Sequence, residues 1–481
     1  MRILLVTGLV GQLLRSFCLA FIAPILMALW DGAHASAVKF LMSLAATFVM
    51  GTLLATQTPK VSVLHRAEAL AIVSATWMVL GVFCAVPYVL HGLHPVDALF
   101  ESISGLTTTG ATILTDFGKF DRAFFLWRAM TQWFGGLGII ALFVVVLPRL
   151  GIAGRQLFFA EASGAPAEGV SPQIRQSASR LWVLYLIMTA ALTVALLACG
   201  MTLYEASCHA LTTMAAGGFS PNPQSVMGYH NPAAEWVLTL FMLLAGASFA
   251  LQFRVFTGRP LGFFRDAEFR FYAGVTVLVG VGVAIGLSGG VPTEQSLRLG
   301  LFQSASLISS TGFASTDYEL WGHNLKVLLV LAMMVGGCAG SAAGGPKAVR
   351  ILLVLKHVTR EITRVLHPRA VLPIKYQGRS VNRDVMRSVF TLVVLYYFGY
   401  FVVGVMLVLM GSDLVVGFSA SLACFGNIGP GFGHAGPMGS FAEFSRPAKL
   451  LLTVAMWLGR LEIVTVLALL HQDVWRNLRL R

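Results

Sequence analysis

The 481-residue sequence predicts an all-α polytopic membrane protein, with four helix–pore loop–helix repeats around a central pore and an N-terminal helical hairpin. The first observation is composition. Hydrophobic residues make up 57% of the chain and charged residues 11%, with a mean hydropathy of +0.78. Soluble domains carry about 25% charged residues, so this chain has too little polar surface to cover a water-soluble core. Its apolar surface has to face lipid.

The second observation is a tract of small residues that recurs four times, each time between apolar segments long enough to cross a bilayer. Aligned on one glycine, the copies read SISGLTTTGAT, CHALTTMAAGG, SASLISSTGFA and SASLACFGNIGPG, around Gly110, Gly217, Gly312 and Gly429. A single tract of this kind is usually a helix-packing surface or an ordinary loop. Four copies in the same setting favour an internal repeat.

The third observation is the distribution of the net charge of +13. Gln252–Arg270 contains four arginines and Lys347–Arg387 contains ten Lys or Arg residues, whereas Tyr204–Glu235 contains neither. This alternation follows the positive-inside rule. It predicts that the basic connections are cytoplasmic and the glycine loops lie on the outer side, and it makes nucleic acid an improbable partner.

The N-terminal hairpin is predicted in residues 1–66, as apolar runs over residues 3–30 and 37–54 joined at Asp31 and Gly32. The AHASA stretch at residues 33–37 resembles a signal-peptidase site. However, the preceding run is too long for the 7–15-residue apolar region of a signal peptide, and Arg15 interrupts it. We therefore expect two helices that stay with the protein.

Each repeat is predicted to contain an outward span, a half-length helix and a return span, within residues 67–150, 180–254, 268–356 and 386–471. The predicted half-helices are Val96–Leu106, Ala206–Met214, Glu294–Ser309 and Leu414–Phe425. At roughly 20 residues per span, the chain has about ten full spans. A helix of about 11 residues reaches only about 16 Å, so its non-helical tail must line protein or water.

Four such tails around one axis would suit a monovalent cation. Helix C-termini carry partial negative charge, and glycine can turn its carbonyl inward because it has no Cβ. Rings of carbonyls replace the hydration shell of the ion. Hydroxyls of Thr108, Thr109, Ser310 and Thr311 can add oxygens or brace the loops, and the absence of an acidic ring at these positions argues against a calcium-type filter.

Five motifs together resemble the Trk/Ktr/HKT superfamily of potassium transporters along the whole chain. They are Phe100–Thr112, TQWFGGLGI at Thr131–Ile139, GGCAGSAAGGPK at Gly336–Lys347, ACFGNIGPGFG at Ala423–Gly433 and WLGRLEI at Trp457–Ile463. The N-terminal hairpin is similar to the TrkH type and is missing from the shorter KtrB type. The resemblance implies potassium uptake through a gated, channel-like pore, with K⁺ bound and no organic cofactor.

The resemblance also implies roles for particular residues. It makes Gly110, Gly217, Gly312 and Gly429 filter glycines, and it makes the glycine-rich break a gate. The other predicted filter residues are Thr108, Thr109, Ala216, Thr311, Asn427 and Ile428. The predicted gate residues are Gly336, Gly337, Gly340, Ser341, Gly344, Gly345 and Lys347. Composition supports the break independently, because each glycine destabilises a helix by about 1 kcal/mol relative to alanine; close helix packing through small residues is the alternative.

Arg460 interrupts an apolar span, where a charge costs roughly 2.5–3.5 kcal/mol on insertion scales. The resemblance places it below the filter as an electrostatic barrier, and a salt bridge to another helix is the alternative. Glu462 is an unfavourable partner, since residues two apart do not share a helix face. His209 and His434 either confer pH sensitivity or are hydrogen-bonded structural residues.

The second tract reads Ala215–Ala216–Gly217, where the resembling proteins often have a hydroxyl, so the strength of selection for K⁺ over Na⁺ stays open. Coupled symport with Na⁺ or H⁺, with Glu101 or Glu462 on the ion path, is an alternative on the same fold. An intramembrane enzyme is not expected, because the chain has no H-E-x-x-H motif and its histidines show no ligand spacing.

The resemblance further implies a homodimer in the bacterial inner membrane, bound to a cytosolic nucleotide-binding subunit of the TrkA type. The basic segment Lys356–Arg387 is the candidate contact for that subunit.

Overall fold

The structure, a computed structural model, describes residues 2–56, 66–141, 172–258, 261–470 and 472. Within these residues the chain is almost entirely helical. The exception there is a small antiparallel hairpin, in which strand β1 (Lys375–Tyr376) pairs with β2 (Arg379–Ser380). The predicted all-α membrane fold is therefore confirmed.

The N-terminal hairpin consists of α1 (Ile3–Phe17), a short 3₁₀ turn, α2 (Ile22–Trp30) and α3 (His34–Ala55). Gly11 lies so close to α3 that a Cβ there would lie 2.6 Å from the backbone nitrogen of Ala55. Small residues allow this close approach of two helices in a membrane. The hairpin packs on the first repeat, where the rings of Phe21 and Trp127 stack with centroids 4.4 Å apart.

The remaining helices form four successive groups. In the first two groups they are α4 (Arg66–Leu90), α5 (Pro95–Leu106), α6 (Arg122–Ala141), α7 (Pro172–Ala198), α8 (Leu203–Met214), α9 (Pro232–Ala245) and α10 (Phe249–Phe256). In the third they are α11 (Gly262–Arg265), α12 (Ala267–Leu287), α13 (Thr293–Ile308), α14 (His323–Val335) and α15 (Ala348–Leu366). In the fourth they are α16 (Arg383–Leu409), α17 (Leu414–Phe425), α18 (Arg446–Arg460) and α19 (Ile463–Leu470).

The half-helices α5, α8, α13 and α17 lie where the sequence predicts them, within a few residues. Their starts are fixed locally: Pro95 opens α5, and Thr202 with Glu205 forms a capping box at α8. Three of them dock on the preceding span through a serine four residues before the helix end. Ser102, Ser304 and Ser421 donate to the carbonyls of Gly81, Thr276 and Tyr400 at 2.6–2.7 Å.

The second and fourth return segments are bent where the sequence predicts continuous spans, and the third is broken where the sequence predicts it. The chain bends by 106° between α9 and α10 and again by 106° between α18 and α19, while residues 336–347 separate α14 from α15. By length and composition, six described helices can cross a membrane, or eight if each bent pair is one span. The first and third return segments are not among these eight, and the estimate of about ten full spans includes both of them. The third is broken at the glycine-rich stretch, and residues 142–147 of the predicted first return span lie outside the described residues.

Candidate functional site

The loops after the four half-helices share one backbone path. In each, the amide three residues past the helix end donates to a carbonyl inside the helix, at 2.8–2.9 Å. These donors are Thr109, Gly217, Thr311 and Ile428. The residue before each donor is left-handed, with φ of 52° at Thr108, 54° at Ala216, 54° at Ser310 and 52° at Asn427. Non-glycine residues rarely adopt this conformation, so its fourfold recurrence shows a common loop geometry.

This geometry corrects the predicted register of the second loop. The residue after each donor is a glycine with positive φ: Gly110 (84°), Gly218 (74°), Gly312 (82°) and Gly429 (109°). Gly218 is therefore the equivalent of the other three glycines, and Gly217 takes the position of Thr109. Two adjacent glycines allow either alignment in the sequence, and only the backbone angles decide between them.

The four loops meet in a closed ring, referred to below as the glycine ring. A Cβ on Gly110 would overlap the carbonyl oxygen of Gly217, and one on Gly218 would overlap that of Thr311. A Cβ on Gly312 would likewise overlap the carbonyl oxygen of Ile428. The fourth contact closes the ring, with the carbonyl oxygen of Thr109 at 2.8 Å from a Cβ on Gly429. Each loop therefore needs a glycine where the carbonyl of the next loop approaches.

The four ring glycines line one cavity of about 400 Å³. Its wall also contains Thr112, Arg128, Phe219, Ser220 and His434. The ring thus borders a space large enough for a hydrated ion. His209 is not part of this wall; its ring nitrogens lie 2.8 Å from the carbonyl of Glu205 and 3.1 Å from the hydroxyl of Ser220, which favours the structural role.

Hydroxyl groups brace the first and third loops from within. The hydroxyls of Thr107 and Thr109 lie 2.8 Å apart, and those of Ser309 and Thr311 lie at the same distance. In the fourth loop, Asn427 Nδ2 donates to Thr109 Oγ1 at 3.0 Å, and to the carbonyl of Met456. The side chains of Thr109 and Thr311 are thus occupied in bracing.

Polar residues five positions before the half-helix ends form a second set of braces that the sequence analysis missed as a group. Glu101 accepts from the amide of Ile113 at 3.0 Å. His209 contacts Ser220, and Gln303 donates to Ser315 at 3.3 Å. Glu101 is also paired with the buried Arg128, whose Nε lies 2.7 Å from its carboxylate. The shared distance from the helix end is the signal that could have identified them.

The glycine-rich loop, residues 336–347, lies against the helix side of the glycine ring. The amide of Gly344 donates to Ser310 Oγ at 2.6 Å, and a Cβ on Gly344 would overlap the carbonyl oxygen of Gly426. The amide of Cys338 donates to the carbonyl of Gly246 at 2.8 Å, in the bend between α9 and α10. All seven predicted gate residues lie in this loop, which is non-helical as expected and almost wholly buried.

Arg460 is buried, 4% exposed, and is the last residue of α18. Its Nη1 donates to the carbonyl of Ala342 in the glycine-rich loop at 2.8 Å. Its Nε and Nη2 have no hydrogen-bond partner in the described part of the chain. The nearby Glu462 pairs instead with Arg350, at 2.6 Å, so the salt-bridge alternative for Arg460 finds no support among these residues.

Glu268, at the start of α12, is a second carboxylate that the sequence analysis did not single out. Its Oε1 accepts from the amide of Ala339 at 2.6 Å and from the amide of Val349 at 3.1 Å. One buried side chain therefore joins the middle of the glycine-rich loop to the first turn of α15. Within the loop, the ammonium of Lys347 donates to the carbonyl of Ala343.

Oxygen-rich loops, rather than a cluster of strong ligands, characterise this site. Among the described residues, no group of three or more His, Cys, Asp or Glu could hold a metal ion. All six cysteines are free thiols, and five of them are buried. The arrangement can offer a cation backbone carbonyls and the partial negative charge of four helix C-termini.

Comparison with known proteins gives one consistent result. The TrkH family model, described as a cation transport protein, matches residues 36–474. The chain is 35% identical to the Trk system potassium uptake protein TrkH of Halomonas elongata, over 99% of this chain and 100% of that one. It is also 35% identical to the protein of the same name from Escherichia coli, over 98% and 99%. The crystal structure of the potassium transporter TrkH from Vibrio parahaemolyticus superposes with a TM-score of 0.90, at 33% identity, over 99% and 100% of the two chains.

Proposed function

The chain belongs to the TrkH family of cation transport proteins, and from this premise we propose that it takes up potassium across the bacterial inner membrane through a gated, channel-like pore. Relatives that match nearly the whole chain are named as potassium uptake proteins of the Trk system. The observation that carries the proposal is the closed glycine ring, in which each of four loops brings a backbone carbonyl against a glycine of a neighbouring loop.

In this proposal the glycine ring is the selectivity filter. The carbonyls of Thr109, Gly217, Thr311 and Ile428 are the inner layer of oxygen ligands, and Gly110, Gly218, Gly312 and Gly429 complete the filter. A neutral carbonyl ring with no carboxylate suits a large monovalent cation, because removing its hydration shell costs little free energy. The C-termini of the four half-helices add partial negative charge toward the ion.

The glycine-rich loop is the proposed gate, because it is buried beneath the ring and contacts the third and fourth loops directly. Arg460 is the proposed electrostatic barrier. Its guanidinium bonds this loop through Nη1 while two further donor atoms remain unpartnered among the described residues. A positive charge at this depth opposes a cation that has passed the ring.

Both carboxylates considered for coupling are already paired with arginines, and this favours uncoupled conduction over coupled symport. Glu101 is paired with Arg128 and Glu462 with Arg350, in partly or fully buried ion pairs. A carboxylate neutralised by an arginine is a poor site for a second transported ion.

We also propose a homodimer that binds a cytosolic, nucleotide-binding subunit of the TrkA type. The candidate contact, Lys356–Arg387, covers the end of α15, the β-hairpin and the start of α16. It presents exposed apolar side chains beside its basic residues, including Ile362, Val365 and Val371.

The test is tracer Rb⁺ uptake into K⁺-loaded proteoliposomes, with external K⁺ or Na⁺ as competitor. We expect native uptake to be blocked by K⁺ and hardly by Na⁺. Gly312→Ser and Gly218→Ser should lose this discrimination, because each new side chain overlaps a carbonyl of the neighbouring loop. Gly274→Ser is the matched control, since a Cβ there meets no atom within 4 Å.

Each outcome has a distinct meaning. Equal competition by Na⁺ in the native protein would contradict potassium as the selected ion. Unchanged discrimination in both ring variants would contradict the filter assignment. Absence of flux, even after the regulatory subunit has been added, would contradict the pore.

A further inference from the structure

The four loops of the glycine ring are not braced alike. Hydroxyl pairs brace the first and third loops, and Asn427 braces the fourth. The second loop has alanine, alanine and glycine at residues 215–217, so it carries no polar side chain where the others do. An unbraced carbonyl in one quarter of the ring would leave that quarter free to shift.

Gln132, on α6, reaches this loop from outside it and is fully buried. Its Nε2 donates to the carbonyl of Gly217 at 2.7 Å, and its Oε1 accepts from the amide of Phe219 at 3.0 Å. One side-chain amide thereby bonds the residues on both sides of Gly218. Both hydrogen-bonding ends of the amide are used.

The Gln132 side chain also fills the volume that a side chain at residue 217 would need. A Cβ on Gly217 would lie 2.5 Å from Gln132 Cδ. At the equivalent positions of the first and third loops stand Thr109 and Thr311, whose hydroxyls make the bracing bonds. Glycine at 217 and glutamine at 132 therefore form a complementary pair.

We propose that Gln132 is the positioning residue of the second filter loop. From a neighbouring helix it replaces the hydroxyl brace that this loop lacks, and it thereby sets how strongly the pore selects K⁺ over Na⁺. The inference rests on the proposed function. Selection between ions of different size requires that the carbonyls keep their spacing. The amide fixes the Gly217 carbonyl, which is the oxygen that faces Gly110 of the first loop.

Two single substitutions test the brace in the proteoliposome assay. Gln132→Leu keeps the approximate size and removes both hydrogen bonds, whereas Gln132→Glu keeps the acceptor and loses the donor. Because an unpaired buried carbonyl shifts to find a partner, we expect the half-inhibitory Na⁺ concentration to fall about tenfold in both, with K⁺ inhibition unchanged. Gln12→Leu, at an exposed position in the N-terminal hairpin, is the control and should behave as native.

A swap distinguishes positioning from general stability. Gly217→Thr alone should lose discrimination, because its side chain collides with Gln132. Gln132→Ala alone should lose it through the missing brace. The triple variant Ala215→Ser/Gly217→Thr/Gln132→Ala provides the space and, at the equivalent positions, the hydroxyl pair that Ser309 and Thr311 form in the third loop, so we expect it to recover most of the native discrimination.

The results separate this inference from the proposed function. If native protein selects K⁺ and Gln132→Leu selects it equally well, the inference is wrong and the potassium pore stands. If native protein itself does not select K⁺, the proposed function fails first. Should Gln132→Leu not fold, the comparison of the triple variant with native protein decides, and a folded triple variant without discrimination overturns the inference.

Discussion

A single buried charge, Arg460, illustrates how the function is determined at the residue scale. Its guanidinium forms one hydrogen bond to the glycine-rich loop, and two of its nitrogens have no partner in the described residues. A buried charge without an ion-pair partner destabilises the fold. Such a residue is expected where its charge serves a function, which in our proposal is the opposition to a passing cation.

We therefore expect Arg460→Gln to raise K⁺ flux. A tenfold increase, which is the order we expect, corresponds to about 1.4 kcal/mol of lowered barrier. Arg460→Lys keeps the charge and should stay near the native rate. The measurement is the initial rate of Rb⁺ uptake, with Arg122→Gln, at a half-exposed surface position, as control. Equal or slower flux in Arg460→Gln would contradict the barrier.

The residue scale is also where the sequence was most ambiguous. Thr108, Thr109 and Thr311 could be assigned because each precedes an isolated glycine. At Gly217 and Gly218 two glycines compete, and the positive φ of Gly218 settles the register. Composition contains no information on φ, so this correction required a structure.

At the scale of elements, the short half-helices could be predicted because their signals are local. Apolar runs, capping residues and small-residue tails all lie within one stretch of chain. The partners that hold the loops could not be predicted in this way. Gln132 bonds a residue 85 positions away, and Glu268 bonds one 71 positions away. Such pairs depend on the packing of whole repeats.

Glu268 gives a prediction for the glycine-rich loop. An intramolecular hydrogen bond contributes about 0.5–1.5 kcal/mol net, and the carboxyl group of Glu268 accepts two, from the amides of Ala339 and Val349. If these bonds hold the loop closed, Glu268→Ala should increase K⁺ flux severalfold without changing selection against Na⁺. Asp266→Asn, which alters the N-cap of the same helix and not the loop contacts, is the control.

Loop opening should be measured separately from flux. Ser341→Cys places a thiol at a buried position of the glycine-rich loop, and the rate at which this thiol reacts with a small reagent reports loop opening. We expect faster labelling when Glu268→Ala is combined with it. Faster flux with unchanged labelling would assign the effect to another part of the pore. Slower flux would contradict the role of Glu268 in holding the loop closed.

At the scale of the whole molecule, four similar repeats build a ring from four different sets of braces. The half-helices and the left-handed loop residues repeat closely, with φ between 52° and 54°. The return segments do not, since two are bent and one is interrupted by the glycine-rich loop. The repeated parts form the glycine ring, which is the proposed ion path, whereas the glycine-rich loop, the proposed gate, lies among the differing parts on the helix side of the ring.

The orientation of the molecule in the membrane is predicted by the distribution of its basic residues and can be tested by thiol labelling. The positive-inside rule places the basic segment Lys356–Arg387 in the cytoplasm and the cavity of the glycine ring outside. Arg364 and Glu443 have side chains 62% and 72% exposed, so cysteines at either position are accessible. Five native cysteines are buried, and Cys199→Ser removes the remaining one.

In intact cells without the cytosolic subunit, we expect a membrane-impermeant maleimide to label Glu443→Cys, whereas Arg364→Cys should react only after permeabilisation. The Cys199→Ser parent should remain unlabelled. The reverse pattern would place the glycine-rich loop between the ring and the outside, and the proposed gate would then close the wrong end of an uptake pore. Inverting the chain would require the eight basic residues of Lys356–Arg387 to cross the membrane, and the positive-inside rule opposes this.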